Sequence, residues 1–263
     1  WVFIFPCQMG IFGAVFATGL APIISMAVLS SHFIKGKNQF RLVLSRPHKK
    51  TMTGIVTSGV PSLVTELSSG IVIIIFNAII LKLEGNTGVA AYGVIANLSL
   101  VVTAIYTGIA QGIQPIISMN YGVKNTDNIR AILRYALITK GLLSAGIYIT
   151  VLLGAYQIAG VFNSEGNPLL QSIATEGLRL YFTACPFAGF NIILAMYFTA
   201  CDNPLPAHII SILRGFIVII PMAFLLSALW DILGVWCTFP ATEFLVAGVA
   251  LCFLIANQKK LSR

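Results

Sequence analysis

The stretch GVPSLVTELSSGIVIIIFN (59–77) decides the fold class. Most of it is what a lipid bilayer selects for, yet the carboxylate of Glu66 stands well inside the apolar run. The chain around it has the same character: 57% of its 263 residues are hydrophobic and only 9% are charged. A soluble domain carries about 25% charged residues. With a mean hydropathy of +0.91, the sequence is that of an all-α integral membrane protein, a polytopic helix bundle.

A helix needs about 20 apolar residues to cross the hydrocarbon. The pattern predicts seven spans, at 11–34, 54–81, 89–119, 131–162, 176–200, 206–230 and 234–256. Residues 1–8, opening WVFIFP, read as the tail of an earlier span, and the chain as a piece of a longer protein. No basic n-region or cleavage site marks a signal peptide. Prolines recur inside the spans (Pro22, Pro61, Pro115, Pro186, Pro221, Pro240), where neighbouring helices can re-satisfy the carbonyls they free.

The net charge of +8 would point to nucleic acid in a soluble protein. Here the spans sort it. The segment IKGKNQFRLVLSRPHKK (34–50), the residues Lys124, Arg130, Arg134, Lys140 and Arg214, and the C-terminal Lys259, Lys260 and Arg263 fall on one side. Only Lys82 and Arg179 fall on the other. The positive-inside rule places the 35–50 loop and the C-terminus in the cytoplasm of a cell membrane protein, with the lipid bilayer as its partner and no nucleic acid required. The five cysteines are scattered, without CxxC pairs or a histidine cluster, and read as small apolar filler with no metal site.

Residues 13–34 and 234–255 align without gaps, both starting at Gly and both leaving into a basic segment. Six spans separate equivalent points. The alternative is chance similarity between two apolar helices; if the two correspond, the even number makes the halves parallel repeats about an axis along the membrane normal. The expected domains are the end of an N-terminal lobe (1–34), a basic inter-lobe loop (35–53) and a six-helix C-terminal lobe (54–263).

Glu66 lies roughly 18 Å above the start of its span, near the midplane. On a helical wheel Ser62, Glu66, Ser69, Gly70 and Asn77 share about 100°, with Val60, Val64, Leu67, Ile71, Ile74 and Ile75 opposite. Facing a wet cavity, such a carboxylate titrates or binds a cation; packed dry, it is protonated glue between helices. Pro61 should permit a bend nearby. Glu243 lies at a similar depth, within reach of Arg214, either as a second acidic site or as an ion pair. Thr103, Thr107, Gln111, Gln114, Ser118 and Tyr121 form a third polar stripe, suited to a water-lined wall or to polar packing. Asn191, alone in its helix, reads as hydrogen-bond glue. No GxxxxGK[ST] loop, HExxH or catalytic triad occurs, so no enzyme is expected.

Together with the opening stretch, AAYGVIANLS (90–99), GIAQGIQPIISMNYGVKNTDNIRAIL (108–133), LRGFIVIIP (213–221) and LGVWCTFPATEF (233–244) resemble the C-terminal lobe of MATE (multidrug and toxic compound extrusion) transporters, MepA-like members in particular. The resemblance covers nearly the whole chain. It implies twelve helices in two lobes around a cavity, and efflux of bulky organic cations or other amphiphilic small molecules. The lobes would rock between alternating access states in exchange for H⁺ or Na⁺, with no other cofactor. It implies a cation-coupling role for Glu66, and a cavity wall that includes Gln111 and Gln114. The helix-ten aspartate of the NorM-like branch has no match in YFTACPFAGFNIILAMYFTA (181–200). The rivals are a flippase or exporter of a lipid-linked or polar metabolite on the same architecture, and a non-transporting receptor or assembly subunit.

Overall fold

A computed structural model describes residues 2–6, 8–34 and 48–261. All regular structure among them is helical. The chain divides into two units, Trp1–His48 and Lys49–Arg263. In the first, residues 2–6 form turns, not the end of a helix, and α1 spans Gly10–Ile34. The basic loop residues Lys35, Lys37, Arg41 and Arg46 lie outside the described residues.

The second unit begins with α2, Lys49–Gly122. Its 74 residues would reach roughly 110 Å if straight, several times the hydrocarbon thickness. The helix breaks at Gly85, whose φ of 63° is open to glycine and strained for other residues. Phe76 and Tyr92 stack with centroids 5.5 Å apart, where a continuous helix would hold them roughly 24 Å apart. The two arms, 49–84 and 86–122, are thus a hairpin. Beyond it, α3 spans Thr126–Phe162 and α4 Pro168–Tyr181. A 3₁₀ turn, Phe182–Ala184, links α4 to α5, Cys185–Ala200, where Pro186 cannot donate to the preceding turn. Next come α6, Pro204–Ile212, a π-helical turn at Leu213–Ile217, and α7, Ile219–Leu261. The last helix breaks at Trp230 and Asp231 (φ 48°), and Gly234 closes against the Leu226 backbone, so it too folds back on itself. Counted between breaks, the unit holds six spans, at 49–84, 86–122, 126–162, 168–200, 204–229 and 232–261.

Side-chain caps hold the turns. Asn125 Oδ1 accepts from Asn128 N (3.2 Å) to start α3. Asn167 Oδ1 accepts from Leu169 N (2.9 Å) to start α4, and Asn163 Nδ2 donates to the Asn167 carbonyl (2.9 Å). The core has two apolar zones. Phe76, Tyr92, Tyr181, Phe182 and Trp236 pack in one. Ile117, Leu133, Tyr197, Phe198 and Val246 pack in the other. A polar belt falls between them. Tyr106 and Ser144 share a hydrogen bond there (2.8 Å), and Lys140 Nζ donates to the Pro186 carbonyl (2.8 Å). Lys140 is only 8% exposed, so it is not the headgroup charge that its distance from the basic end suggested. Its stem crosses the gap that Gly189 leaves open.

Candidate functional site

The most polar point of the belt is built from three spans. The π-helical turn carries Arg214, α7 carries Glu243 three residues after Pro240, and α5 carries Asn191. Arg214 donates twice to Glu243 Oε1, from Nη2 at 2.6 Å and from Nε at 3.1 Å. Asn191 Nδ2 donates to the other carboxylate oxygen, Oε2 (2.7 Å), and to the Glu243 main-chain carbonyl (3.0 Å). Glu243 is 1% exposed and Asn191 0%. Of the two expectations for Glu243 and Arg214, the geometry is that of an ion pair. Asn191, which looked solitary in the sequence, is its third member. A π turn adds a residue to one helical turn and so rotates the rest of its helix, and such turns mark functional or specially packed sites. The turn also seats Gly215 against Ser68 of α2, where an added Cβ would lie 2.6 Å from the serine Cβ.

The arrangement is electrically closed. One guanidinium neutralises one carboxylate, both carboxylate oxygens are hydrogen-bonded, and burial strengthens each contact. Removing one partner of such a pair leaves an uncompensated buried charge and costs about 3–5 kcal/mol. Three buried polar atoms have no hydrogen-bond partner among the described residues: Asn191 Oδ1 at this site, Thr242 Oγ1 beside Glu243 in sequence, and Trp236 Nε1 in the first apolar zone.

Glu66 is the converse case. Its side chain is exposed, and no hydrogen bond or ion pair holds it among the described residues. Ser62, Ser69 and Gln111 are exposed with it, while Asn77, Thr107 and Gln114 are partly covered. These residues lie on the surface of the unit. None of them lines the cleft of about 1000 Å³ that Tyr156, Asn163, Gln171, Glu176 and Arg179 border.

The wheel assigned the faces of α2 imperfectly. Leu67, Ile71 and Ile74 are exposed like Glu66, as a lipid-facing stripe should be. The face turned to the core is a different one, with Thr65, Ser68, Phe76, Ile79 and Ile80. Ser68 is 5% exposed and Thr65 Oγ1 lies 3.5 Å from Ser211 Oγ of α6. Sequence reasoning passed over both hydroxyls, and over His208, whose Nε2 lies 2.8 Å from the Thr57 carbonyl. Their signal is a residue type that hydrogen-bonds at i, i+3 spacing inside an apolar span. Among the described residues, no group of three His, Cys, Asp or Glu could hold a metal ion.

The family model for MatE matches residues 61–225. The chain is 22% identical over 263 residues to the multidrug export protein MepA of Staphylococcus aureus (strain MRSA252), covering 99% of this chain and 57% of that protein. It is 24% identical over 264 residues to MepA of Staphylococcus haemolyticus (strain JCSC1435), again 57% of its length. The chain thus spans a little over half the length of these curated relatives. Among solved structures, an outward-facing multidrug resistance MATE family transporter of the MOP superfamily superposes with a TM-score of 0.89 at 19% identity, over 99% of this chain and 59% of that one. A MOP superfamily transporter from Pyrococcus furiosus Vc1 (DSM3638) gives 0.89 at 20% identity, over 100% of this chain and 59% of that one. The fold is that of these transporters.

Proposed function

Because this chain belongs to the MatE family, we propose that it forms the C-terminal lobe of an ion-coupled exporter of organic cations and other amphiphilic small molecules. Glu66 is the carboxylate that couples export to H⁺ or Na⁺. The observation that carries this reading is the contrast between two carboxylates in membrane spans. Glu243 has its charge and both oxygens satisfied, so neither an ion nor a substrate has an open place on it. Glu66 is exposed and unpartnered among the described residues. A bare carboxylate facing hydrocarbon is costly, so its face must meet water, an ion or a second lobe.

A carboxylate that holds either an inward-moving ion or a cationic substrate, but not both well, is a minimal exchanger. Ser62 and Ser69 offer hydroxyl oxygens on the same helix, and Asn77, Thr107, Gln111 and Gln114 extend the polar surface. Alternating access then comes from rocking this lobe against its partner about the bound ion. The curated relatives are named as multidrug exporters, which supports the substrate class. The test is drug resistance in cells producing the two-lobe protein. Glu66→Gln should abolish resistance with protein levels intact, while Glu66→Asp keeps part of it. Wild-type resistance in the Gln variant removes Glu66 from the mechanism.

A second reading, a transporter for a lipid-linked or polar metabolite, draws on the P. furiosus relative, which is described as having a binding pocket of reversed polarity and a different function. Efflux of cationic dyes decides for the first reading, and their retention alongside anionic-substrate export decides for the second.

A further inference from the structure

The span that carries Glu66 contains its own defect. In an α-helix the carbonyl of residue i accepts the N–H of residue i+4. The partner owed to Thr57 is Pro61, which has no N–H. The helix runs unbroken through both residues, so the Thr57 carbonyl is left without its intrahelical donor. A carbonyl stranded inside a membrane helix must find a donor from elsewhere.

It finds one 151 residues away in sequence. His208 Nε2, on α6, lies 2.8 Å from the Thr57 oxygen. A carbonyl only accepts, so the ring nitrogen facing it carries the proton. Two further contacts continue along the same face: Thr65 Oγ1 to Ser211 Oγ at 3.5 Å, and Ser68 packed on Gly215 of the π turn. Glu66 lies between them in sequence. Several apolar side chains of this part of α2 stand exposed. Ile55 is 64% exposed, Leu63 58% and Leu67 57%.

We propose that His208 is a positioning residue for Glu66: by replacing the hydrogen bond that Pro61 removes, it fixes the lower part of the first arm of α2, and with it the placement of the coupling carboxylate. The imidazole reaches neither ion nor substrate. It acts through the Thr57 carbonyl. The transport consequence rests on the coupling role proposed for Glu66, whereas the hydrogen bond and its dependence on Pro61 do not.

That dependence gives the test. Pro61→Ala restores the missing N–H, so the carbonyl no longer needs His208. His208→Phe keeps a ring and loses the donor, and His208→Gln keeps a donor. With the protein reconstituted in lipid bilayers, the parent, Pro61→Ala, His208→Phe and the double variant are compared by thermal unfolding and by export rate. With Pro61 in place, His208→Phe should shift the unfolding equilibrium about fivefold, the weight of one hydrogen bond, and slow export. His208→Gln should recover most of that loss. In the Pro61→Ala background, His208→Phe should change neither readout. Equal losses in both backgrounds, or none in either, overturn the proposal. The unfolding comparison still reads if Pro61→Ala impairs export by itself. If Glu66→Gln exports normally while the unfolding comparison behaves as stated, the reading of Glu66 fails and the hydrogen bond stands.

Discussion

At the scale of single residues, neighbours decide what a charge in a membrane helix does. Glu243 and Glu66 lie at similar distances along their spans, but only Glu243 has a guanidinium and an amide on its oxygens. Arg214→Ala should therefore destabilise the protein by about 3 kcal/mol, read as thermal or denaturant unfolding in detergent, because it strands Glu243. Replacing Arg214 and Glu243 together by Met and Leu should recover most of that loss. If the double replacement is as unstable as the single one, the pair contributes more than mutual neutralisation. The sequence made the Arg214–Glu243 encounter foreseeable, since one long cation and one carboxylate share a depth. It marked Asn191 as a hydrogen-bonding residue but not its partner, because an amide in an apolar helix has many partners within reach and only the packing of α5 against α7 selects among them. Nor did it reveal His208. That contact arises from the absence of one N–H at Pro61, and it becomes visible only once α6 is seen to lie alongside.

At the scale of helices, the spans could be read from hydropathy because the bilayer leaves few choices. Each of the seven apolar segments is helical where described, within a few residues at most ends. The two reversals, at Gly85 and at Asp231, fall at the short gaps that hydropathy leaves between the spans, 82–88 and 231–233. One detail was out of reach. The π turn at Leu213–Ile217 leaves no mark on the apolar pattern. Its tight seat predicts a specific rescue. Gly215→Ala should cost about 1–3 kcal/mol through overpacking against Ser68. Ser68→Gly should return part of the loss on that background, where it would destabilise on its own. The same unfolding measurement checks both. Additive losses would mean that Gly215 is needed for its backbone and not for the close approach.

At the scale of the molecule, the six spans of the second unit pack as a lobe with two apolar zones and a polar belt. Its surface keeps a stripe of hydroxyls, amides and one carboxylate that no core residue satisfies. Fold class and family could be read from the sequence, since composition, span count and the GIAQGIQP (108–115) and TELSSG (65–70) segments point the same way. The burial of Lys140 could not, because charge counting treats every cation near a span end as a topogenic one. For the remaining cations the topogenic reading makes a prediction. A cysteine placed at Lys124 should react with a membrane-impermeant thiol reagent only from the cytoplasmic face, and one at Glu165 only from the opposite face. Reversed labelling would invert the lobe.

The ion-for-substrate exchange proposed for Glu66 is tested in proteoliposomes containing the two-lobe protein, in which an imposed H⁺ or Na⁺ gradient drives uptake of a cationic dye. Gradient-driven uptake is expected with Glu66, and its loss in Glu66→Gln, at unchanged protein content and orientation. Gradient-driven uptake that continues at the same rate in Glu66→Gln contradicts that exchange.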